Sequence, residues 1–314
     1  MPDDILDRNV VALSDKDFLS WRSLAEGVLI TGSPGAGKTS CSGKDIAMGM
    51  LSTPGKNDPR RCGALVLTAK REATDEIINY LDKIGRYKDL ILFNEKSGLS
   101  FDPLHYEWTR PGRGAGDLES TVDLFTTLVD IGKKPVSGQS HEPFWDHAAE
   151  KVIRSDIKLL DLGGETPSIA KMDRVVRTLP TQLGMEANEQ WKSTHYAGQL
   201  MNAIIAKHHE LSPDQLSDLE LVGSYIFDQW PAFDERPRSI VEMMWSGMAD
   251  KFLYNPLNRI FCGGKCDFTP EDTTHRNKII ICDWPLLEYG HETGRTINII
   301  LKLIFQRAWL RRSI

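Results

Sequence analysis

The sequence lacks any apolar run long enough to cross a membrane. No stretch of its 314 residues approaches the roughly 18 consecutive apolar residues that a membrane-spanning helix needs. The opening segment, MPDDILDRNV, carries acidic side chains where a secretory signal peptide would carry basic ones. The sequence therefore predicts a cytoplasmic protein with no transmembrane segment in this chain.

Cysteine is scarce, and its number is odd. The five cysteines are scattered over the chain, at Cys41, Cys62, Cys262, Cys266 and Cys282. This distribution argues against a disulfide framework and favours reduced thiols. Cys262 and Cys266, in the segment CGGKC, have a spacing that could begin a zinc site, but no second ligand pair follows at a suitable distance. We therefore do not expect structural zinc.

Positive charge is not in excess either. The chain has 38 Lys and Arg against 44 Asp and Glu, a formal net charge of -6. Such a balance gives no general attraction to polyanions, so contact with nucleic acid would need a local basic patch or an oligomer. Charge alone neither supports nor excludes DNA binding. With 40% apolar residues the chain can bury a sizeable core, and its length suits about two domains.

The most informative segment of the sequence is residues 28–40, VLITGSPGAGKTS. It matches the P-loop pattern G-x-x-x-x-G-K-[ST] and lies between a predicted strand, Val28 to Thr31, and a helix predicted from Lys38 to about Met50. Glycines allow positive φ values and a close approach of backbone amides to phosphate oxygens. The predicted nucleotide-binding residues are Gly32, Gly35, Ala36, Gly37, Lys38, Thr39 and Ser40.

Two side chains of this segment have predicted chemical roles. Lys38 is expected to reach the β- and γ-phosphates, which makes it the catalytic candidate, and the Thr39 hydroxyl is suited to bind Mg²⁺. The helix start adds unpaired amides and the positive end of its dipole. The sequence thus predicts binding of ATP or GTP with Mg²⁺, without deciding between the two nucleotides.

Strand and helix patterns alternate at both ends of the chain. Strands are predicted at 63–68, 90–93 and 278–283, with helices through 72–85 and 297–308. Between them, helical spacing of apolar residues dominates. The expected fold class is α/β, a parallel sheet flanked by helices, with domains at 1–116 (nucleotide-binding), 117–253 (an all-α insertion) and 254–314 (return to the α/β domain).

Asp283 is the candidate for a second carboxylate site. It follows the apolar run Ile279 to Cys282, where an acid could orient Mg²⁺. The simpler interpretation is a strand-end aspartate that caps the turn before Pro285, and the sequence favours that interpretation. Trp284 follows it, so no acid is adjacent.

The order of motifs resembles the conjugative DNA-transfer ATPases of TraG type, the type IV secretion coupling proteins of the FtsK/HerA group. The P-loop segment is followed by VLTAKREATDEIINYLDKIGRYKDLILFNEKSGLSFDPLHYEW, which resembles the second and third strands of that family. EPFWDHAAEKVIRSDIKLL resembles the start of its all-α domain. KIIICDWPLLEYGHETGRTINIILKLIFQRAWLRR is similar to the strand and long helix before its catalytic strand.

This resemblance implies a RecA-like P-loop NTPase fold and an ATPase subunit of a homo-hexameric DNA-translocating motor. DNA or a nucleoprotein would be the cargo, with secretion-channel or relaxosome proteins as further partners and peripheral attachment to the inner membrane through them. The family carries an Asp-Glu pair on a strand that would lie beyond Ile314. The chain is therefore expected to be incomplete at its C-terminus and to bind nucleotide better than it hydrolyses it.

Two other functions fit the same motif. A nucleotide or small-molecule kinase would use the helical insertion to close over an acceptor, and it would be active as a monomer without a response to DNA. A non-hydrolysing scaffold would use ATP binding only to stabilise a complex. ATP turnover with and without DNA, measured together with the oligomeric state, discriminates among the three functions.

Overall fold

The computed structural model describes residues 5–33, 35–37, 39–53, 61–132 and 143–311. At positions 39, 40, 128–132 and 143–146 it describes the backbone alone. The chain divides into two compact units, which we name the sheet unit and the helical unit. The sheet unit comprises Met1–Ser97, Pro270–Gly294 and Lys302–Ile314, and the helical unit comprises Gly98–Thr269 and Arg295–Leu301.

The fold is α/β, with one small parallel sheet and many helices. The strands are β1 (Asn9–Ala12), β2 (Phe18–Ser20), β3 (Ala64–Thr68), β4 (Leu90–Phe93) and β5 (Ile279–Asp283). The α-helices are α1 (Trp21–Ala25), α2 (Lys44–Ser52), α3 (Arg71–Lys83), α4 (Pro103–Thr109), α5 (Leu118–Gly132), α6 (Pro143–Leu162), α7 (Ile169–Val176), α8 (Glu189–Thr194), α9 (Tyr196–Ala206), α10 (Pro213–Gly223), α11 (Trp230–Ala232), α12 (Glu235–Leu253), α13 (Leu257–Phe261), α14 (Pro270–His275), α15 (Leu286–Tyr289) and α16 (His291–Leu310).

The last strand in sequence, β5, is the central strand of the parallel three-stranded sheet, whose order is β3-β5-β4. All five of its residues are buried, as expected for a central strand whose two faces are both covered. The core of this unit contains Leu51 of α2, Leu81 of α3, and Ile279 and Ile281 of β5. The apolar side chains of α2 and α3 therefore share a core with β5.

Most elements predicted for the sheet unit are confirmed, and one is wrong. Strands β3, β4 and β5 lie where the apolar runs predicted them, and α3 and α16 follow the predicted helical spacing. Residues 27–33, by contrast, contain no strand. A strand needs hydrogen-bonded neighbours and a core to receive its apolar side chains, and Leu29 in this run is 88% exposed.

The helical unit contains the predicted all-α block. The described residues between 118 and 253 contain helices and no strand, and Trp245 is buried in the core, where Phe125 packs against it with ring centroids 5.6 Å apart. The main segment of the unit, Gly98–Thr269, is wider than the predicted block at 117–253.

Among the described residues, every helix is too short or too polar to cross a bilayer.

Contacts between its two flanking segments explain why the helical unit extends beyond the predicted block. Phe101 forms an isolated antiparallel bridge with Cys266, and the amide of Gly264 donates a hydrogen bond to Asp102 Oδ2 at 3.1 Å. Asp102 also caps α4 by accepting from the amides of Leu104 and His105. The segments on either side of the helical block therefore pair with each other inside this unit.

Candidate nucleotide-binding site

The glycine-rich segment 32–37 has a backbone that requires glycine at two positions. Gly35 has φ +82° and Gly37 has φ +75°, both in the left-handed region that other residues rarely adopt. No heavy atom lies within 4 Å of a Cβ placed on Gly35, so the backbone angle and not a lack of space makes glycine necessary there. The Ala36 amide donates to Ser33 O at 3.2 Å, which closes a tight turn.

A helical segment begins directly after this turn. Residues Thr39–Gly43 form a π-helix that continues into α2, and the Cys41 amide donates to Gly37 O at 2.9 Å. The positive end of the helix dipole therefore faces the loop, which is an arrangement that favours anions. Lys38 lies outside the described residues, as do the side chains of Thr39 and Ser40, so their roles stay predictions.

Asp283 lies at the carboxyl end of the central strand, beside the ends of both neighbouring strands. In the registers of the sheet, Thr68 is opposite Asp283, and Phe93, which precedes Asn94, is opposite Cys282. Polar residues that follow adjacent parallel strands are thereby brought together at one edge, where α/β proteins commonly bind ligands. The sequence alone does not give the order of the strands, and so it does not show that these residues lie side by side.

The Asp283 carboxylate is buried and hydrogen-bonded at both oxygens. It is 1% exposed; Oδ1 accepts from Thr74 Oγ1 at 2.9 Å and Oδ2 accepts from Asn94 Nδ2 at 3.0 Å. Because the one Thr74 hydroxyl proton is used on Asp283, only Thr68 could donate in the 2.9 Å contact between the two hydroxyl groups, and Thr68 Oγ1 also lies within donating distance of Cys282 O, at 3.0 Å. Each carboxylate oxygen has a second lone pair beside its bond, so the hydrogen bonds do not decide the metal role of Asp283, which stays a prediction.

Arg71, the first residue of α3, joins this carboxylate to a second one. Its Nε and Nη2 donate to the two oxygens of Glu288 at 2.8 and 2.5 Å, and its Nη1 lies 3.6 Å from Asp283 Oδ2. The hydrogen bonds to Glu288 raise the pKa of Arg71 and lower the pKa of Glu288, so both groups stay charged. Sequence reasoning missed this ion pair, because its two residues lie 217 positions apart in the chain.

Comparison with known proteins adds nothing about the identity of this chain. None of the protein-family models, curated proteins and solved structures compared with the chain matches it. The resemblance to TraG-type ATPases therefore rests on the quoted motifs alone, and nucleotide, metal and cargo stay predictions.

The cysteine pair of the CGGKC segment belongs to the helical unit, and both of its thiols contact backbone carbonyls. Cys262 Sγ donates to Phe252 O and Cys266 Sγ to Asp102 O, and burial raises the pKa of each thiol to about 12. Within the described ranges no group of three or more His, Cys, Asp or Glu is placed to hold a metal ion.

Proposed function

We propose that this chain binds a nucleoside triphosphate with Mg²⁺ through residues 32–40 and is a subunit of an ATP-driven motor that moves DNA or a nucleoprotein. One observation carries the nucleotide part of this proposal. Gly35 and Gly37 both adopt left-handed conformations directly before a helix that runs to Ser52. A P-loop needs this combination, because it directs successive amides towards the phosphates at a helix N-terminus.

The backbone and the side chains of residues 32–40 would have different roles in binding. The amides of the loop would hold the phosphate oxygens, Lys38 would neutralise charge at the β- and γ-phosphates, and Thr39 would bind the metal. Asp283, at the carboxyl edge of the sheet, would hold Mg²⁺ through water or serve only to fix that edge, where Thr74 and Asn94 donate to it.

The motor part of the proposal rests on the order of motifs and on the division of the chain. A parallel-sheet unit interrupted in sequence by a helical unit is the organisation that the TraG-type resemblance implies. In such motors a neighbouring subunit completes the site, so hydrolysis depends on assembly and on DNA. A kinase would need neither assembly nor DNA for hydrolysis.

Replacing Lys38 by alanine should weaken Mg-ATP binding at least about tenfold, or about 1.4 kcal/mol, because a charged contact to the phosphates is lost. Isothermal titration calorimetry measures this directly. The matched control is Lys83→Ala, which removes an exposed lysine at the far end of α3 and should leave the affinity unchanged. Equal ATP affinity in the Lys38→Ala and Lys83→Ala proteins would contradict the P-loop assignment.

The choice between motor and kinase needs a second experiment. Sedimentation velocity with Mg-ATP, with and without single- or double-stranded DNA, should show assembly beyond a dimer, together with co-sedimentation of the DNA. The Lys38→Ala protein should assemble less, because nucleotide would no longer bridge subunits. A monomer that turns over ATP with no response to DNA would favour the kinase alternative.

A further inference from the structure

A groove with an apolar lining lies between α2 and α3 in the sheet unit. Its volume is about 100 Å³, and an apolar cavity of about 150 Å³ holds benzene, so this smaller one suits an aliphatic side chain better than an aromatic ring. Tyr80 donates its hydroxyl proton to Met48 O at 2.9 Å, which leaves no donor of Tyr80 for a polar ligand. The apolar lining comes from Ala47, Met48, Leu51, Ala73, Ile77 and Tyr80.

Leu310, the last residue of α16, is an aliphatic side chain exposed at the end of a helix. It is 86% exposed, so it does not fill the groove of the chain to which it belongs. Trp309 holds this helix end in place, because its Nε1 donates to Thr273 Oγ1 at 3.1 Å and its ring packs on Phe305 with centroids 5.9 Å apart. Docking of Leu310 therefore requires little ordering of the helix end, which is one of the main costs of association.

The groove and the end of α16 carry opposite charges. Glu76 lines the groove, where its Oε2 lies 3.7 Å from Lys44 Nζ. Residues 302–311 contain three bases and no acid, whereas the exposed side chains of α3 include four acids and one lysine. Opposite charges guide the encounter of two surfaces and disfavour wrong partners. The bases are Lys302, Arg307 and Arg311, and the acids are Glu72, Asp75, Glu76 and Asp82.

We propose that Leu310 of one subunit docks into the groove between α2 and α3 of a second copy of this chain. The contact joins two different surfaces of the sheet unit, so it is head-to-tail, and head-to-tail contacts close into a ring when the rotation between copies allows it. This inference rests on the assembly part of the proposed function. It adds the side chain and the groove that join neighbouring subunits.

Disulfide cross-linking between two variants tests the contact directly. The Ala73→Cys protein is mixed with the Leu310→Cys protein under mild oxidation by copper phenanthroline, and the joined peptides are identified by mass spectrometry. A covalent dimer linked between positions 73 and 310 is expected, because both side chains lie at the proposed contact. The matched control uses Leu287→Cys in place of Leu310→Cys. Leu287 belongs to the sheet unit and is 82% exposed, but Glu288 follows it, so no link between positions 73 and 287 should form.

Sedimentation velocity with Mg-ATP measures what the contact contributes to self-association. Leu310→Ala should raise the dissociation constant between subunits about tenfold, because the apolar side chain that fills the groove is lost. Glu76→Lys should weaken association as well, because it places a base opposite the basic end of α16. Leu287→Ala should leave the dissociation constant unchanged. Circular dichroism verifies that each variant is folded.

The proposed contact and the proposed function fail through different results. If the unsubstituted, Leu310→Ala and Leu287→Ala proteins assemble equally well and no link forms between positions 73 and 310, the contact is wrong. The groove then serves another partner, and the motor proposal stands. If the unsubstituted chain stays monomeric with Mg-ATP and DNA, the motor function fails together with the contact.

Discussion

Replacement of Arg86 by methionine should lower the free energy of unfolding of the sheet unit by about 3–5 kcal/mol, because three backbone carbonyls would lose a buried donor at roughly 1–3 kcal/mol each. Arg86 is 1% exposed. Its Nε donates to Asp89 Oδ2 at 3.0 Å, and its Nη1 donates to Leu51 O at 3.0 Å and to Cys62 O at 2.9 Å. Its Nη2 donates to Asn277 O at 2.8 Å.

These acceptors belong to four different segments. Leu51 lies at the end of α2, whereas the other three acceptors lie one or two residues before β3, β4 and β5. A single side chain therefore joins the amino ends of all three parallel strands to α2. Methionine would fill the space and leave three backbone carbonyls without this donor. Asp89 would keep Arg61 at 3.4 Å, so most of the loss comes from the carbonyls.

Urea unfolding followed by circular dichroism measures the effect, and two further variants calibrate it. Arg86→Lys should also lose most of the stability, because an ammonium cannot reproduce the planar set of donors that contacts several groups at once. Arg22→Met removes an exposed arginine paired with Asp7 and should cost less than about 1 kcal/mol. A similar loss in the Arg86→Met and Arg22→Met proteins would contradict the joining role.

The sequence alone predicted the three parallel strands and the two long helices that follow them in the chain, but not β1, β2 or α1. Apolar runs of four or five residues located β3, β4 and β5, and helical spacing located α3 and α16, because side-chain periodicity follows directly from strand and helix geometry. The glycine-rich motif likewise predicted a turn with positive φ values, confirmed at Gly35 and Gly37. Each of these predictions depends on neighbouring residues only.

Contacts between distant segments could not be predicted in the same way. The order β3-β5-β4 places the last strand in the centre, next to both other strands, and Asp283 at its end is hydrogen-bonded by Thr74 and Asn94. The capping of the following turn, favoured from sequence, assigned Asp283 a local partner, whereas its hydrogen bonds come from positions 209 and 189 residues away. The strand predicted at Val28 to Thr31 failed for a related reason, since apolar residues alone do not supply a neighbouring strand.

Conversion of Asp156 to asparagine should stabilise the helical unit increasingly as the pH rises above about 4. Asp156, in α6, is fully buried, and in the part of the chain that the structure describes neither carboxyl oxygen has a hydrogen-bond partner. The Tyr225 hydroxyl is buried and has no partner among the described residues either, and Lys151 Nζ lies over the Tyr225 ring at 5.1 Å. Burial raises the pKa of Asp156 well above its usual value.

The direction in which the free energy of unfolding changes with pH follows from this raised pKa. Between the unfolded pKa of about 3.9 and the higher folded pKa, the unfolded chain has released the Asp156 proton while the folded chain retains it. The stabilising contribution is therefore complete below pH 3.9 and is lost as the pH rises, by about 1.4 kcal/mol per pH unit, until the folded pKa is passed. Asparagine resembles the neutral carboxyl in shape but does not titrate.

Urea unfolding of the unsubstituted and Asp156→Asn proteins at pH 4, 5, 6 and 7 tests this expectation. The two free energies of unfolding should be similar at pH 4 and should diverge steadily towards pH 7, with asparagine the more stable. Asp156→Leu should gain additionally at every pH, because it removes the unpaired polar atoms. Asp228→Asn, at an exposed position, provides the control and should give a difference independent of pH. If the Asp156→Asn difference is equally flat, the carboxyl titrates in the folded protein as it does in water, and the buried, protonated state argued for it is wrong.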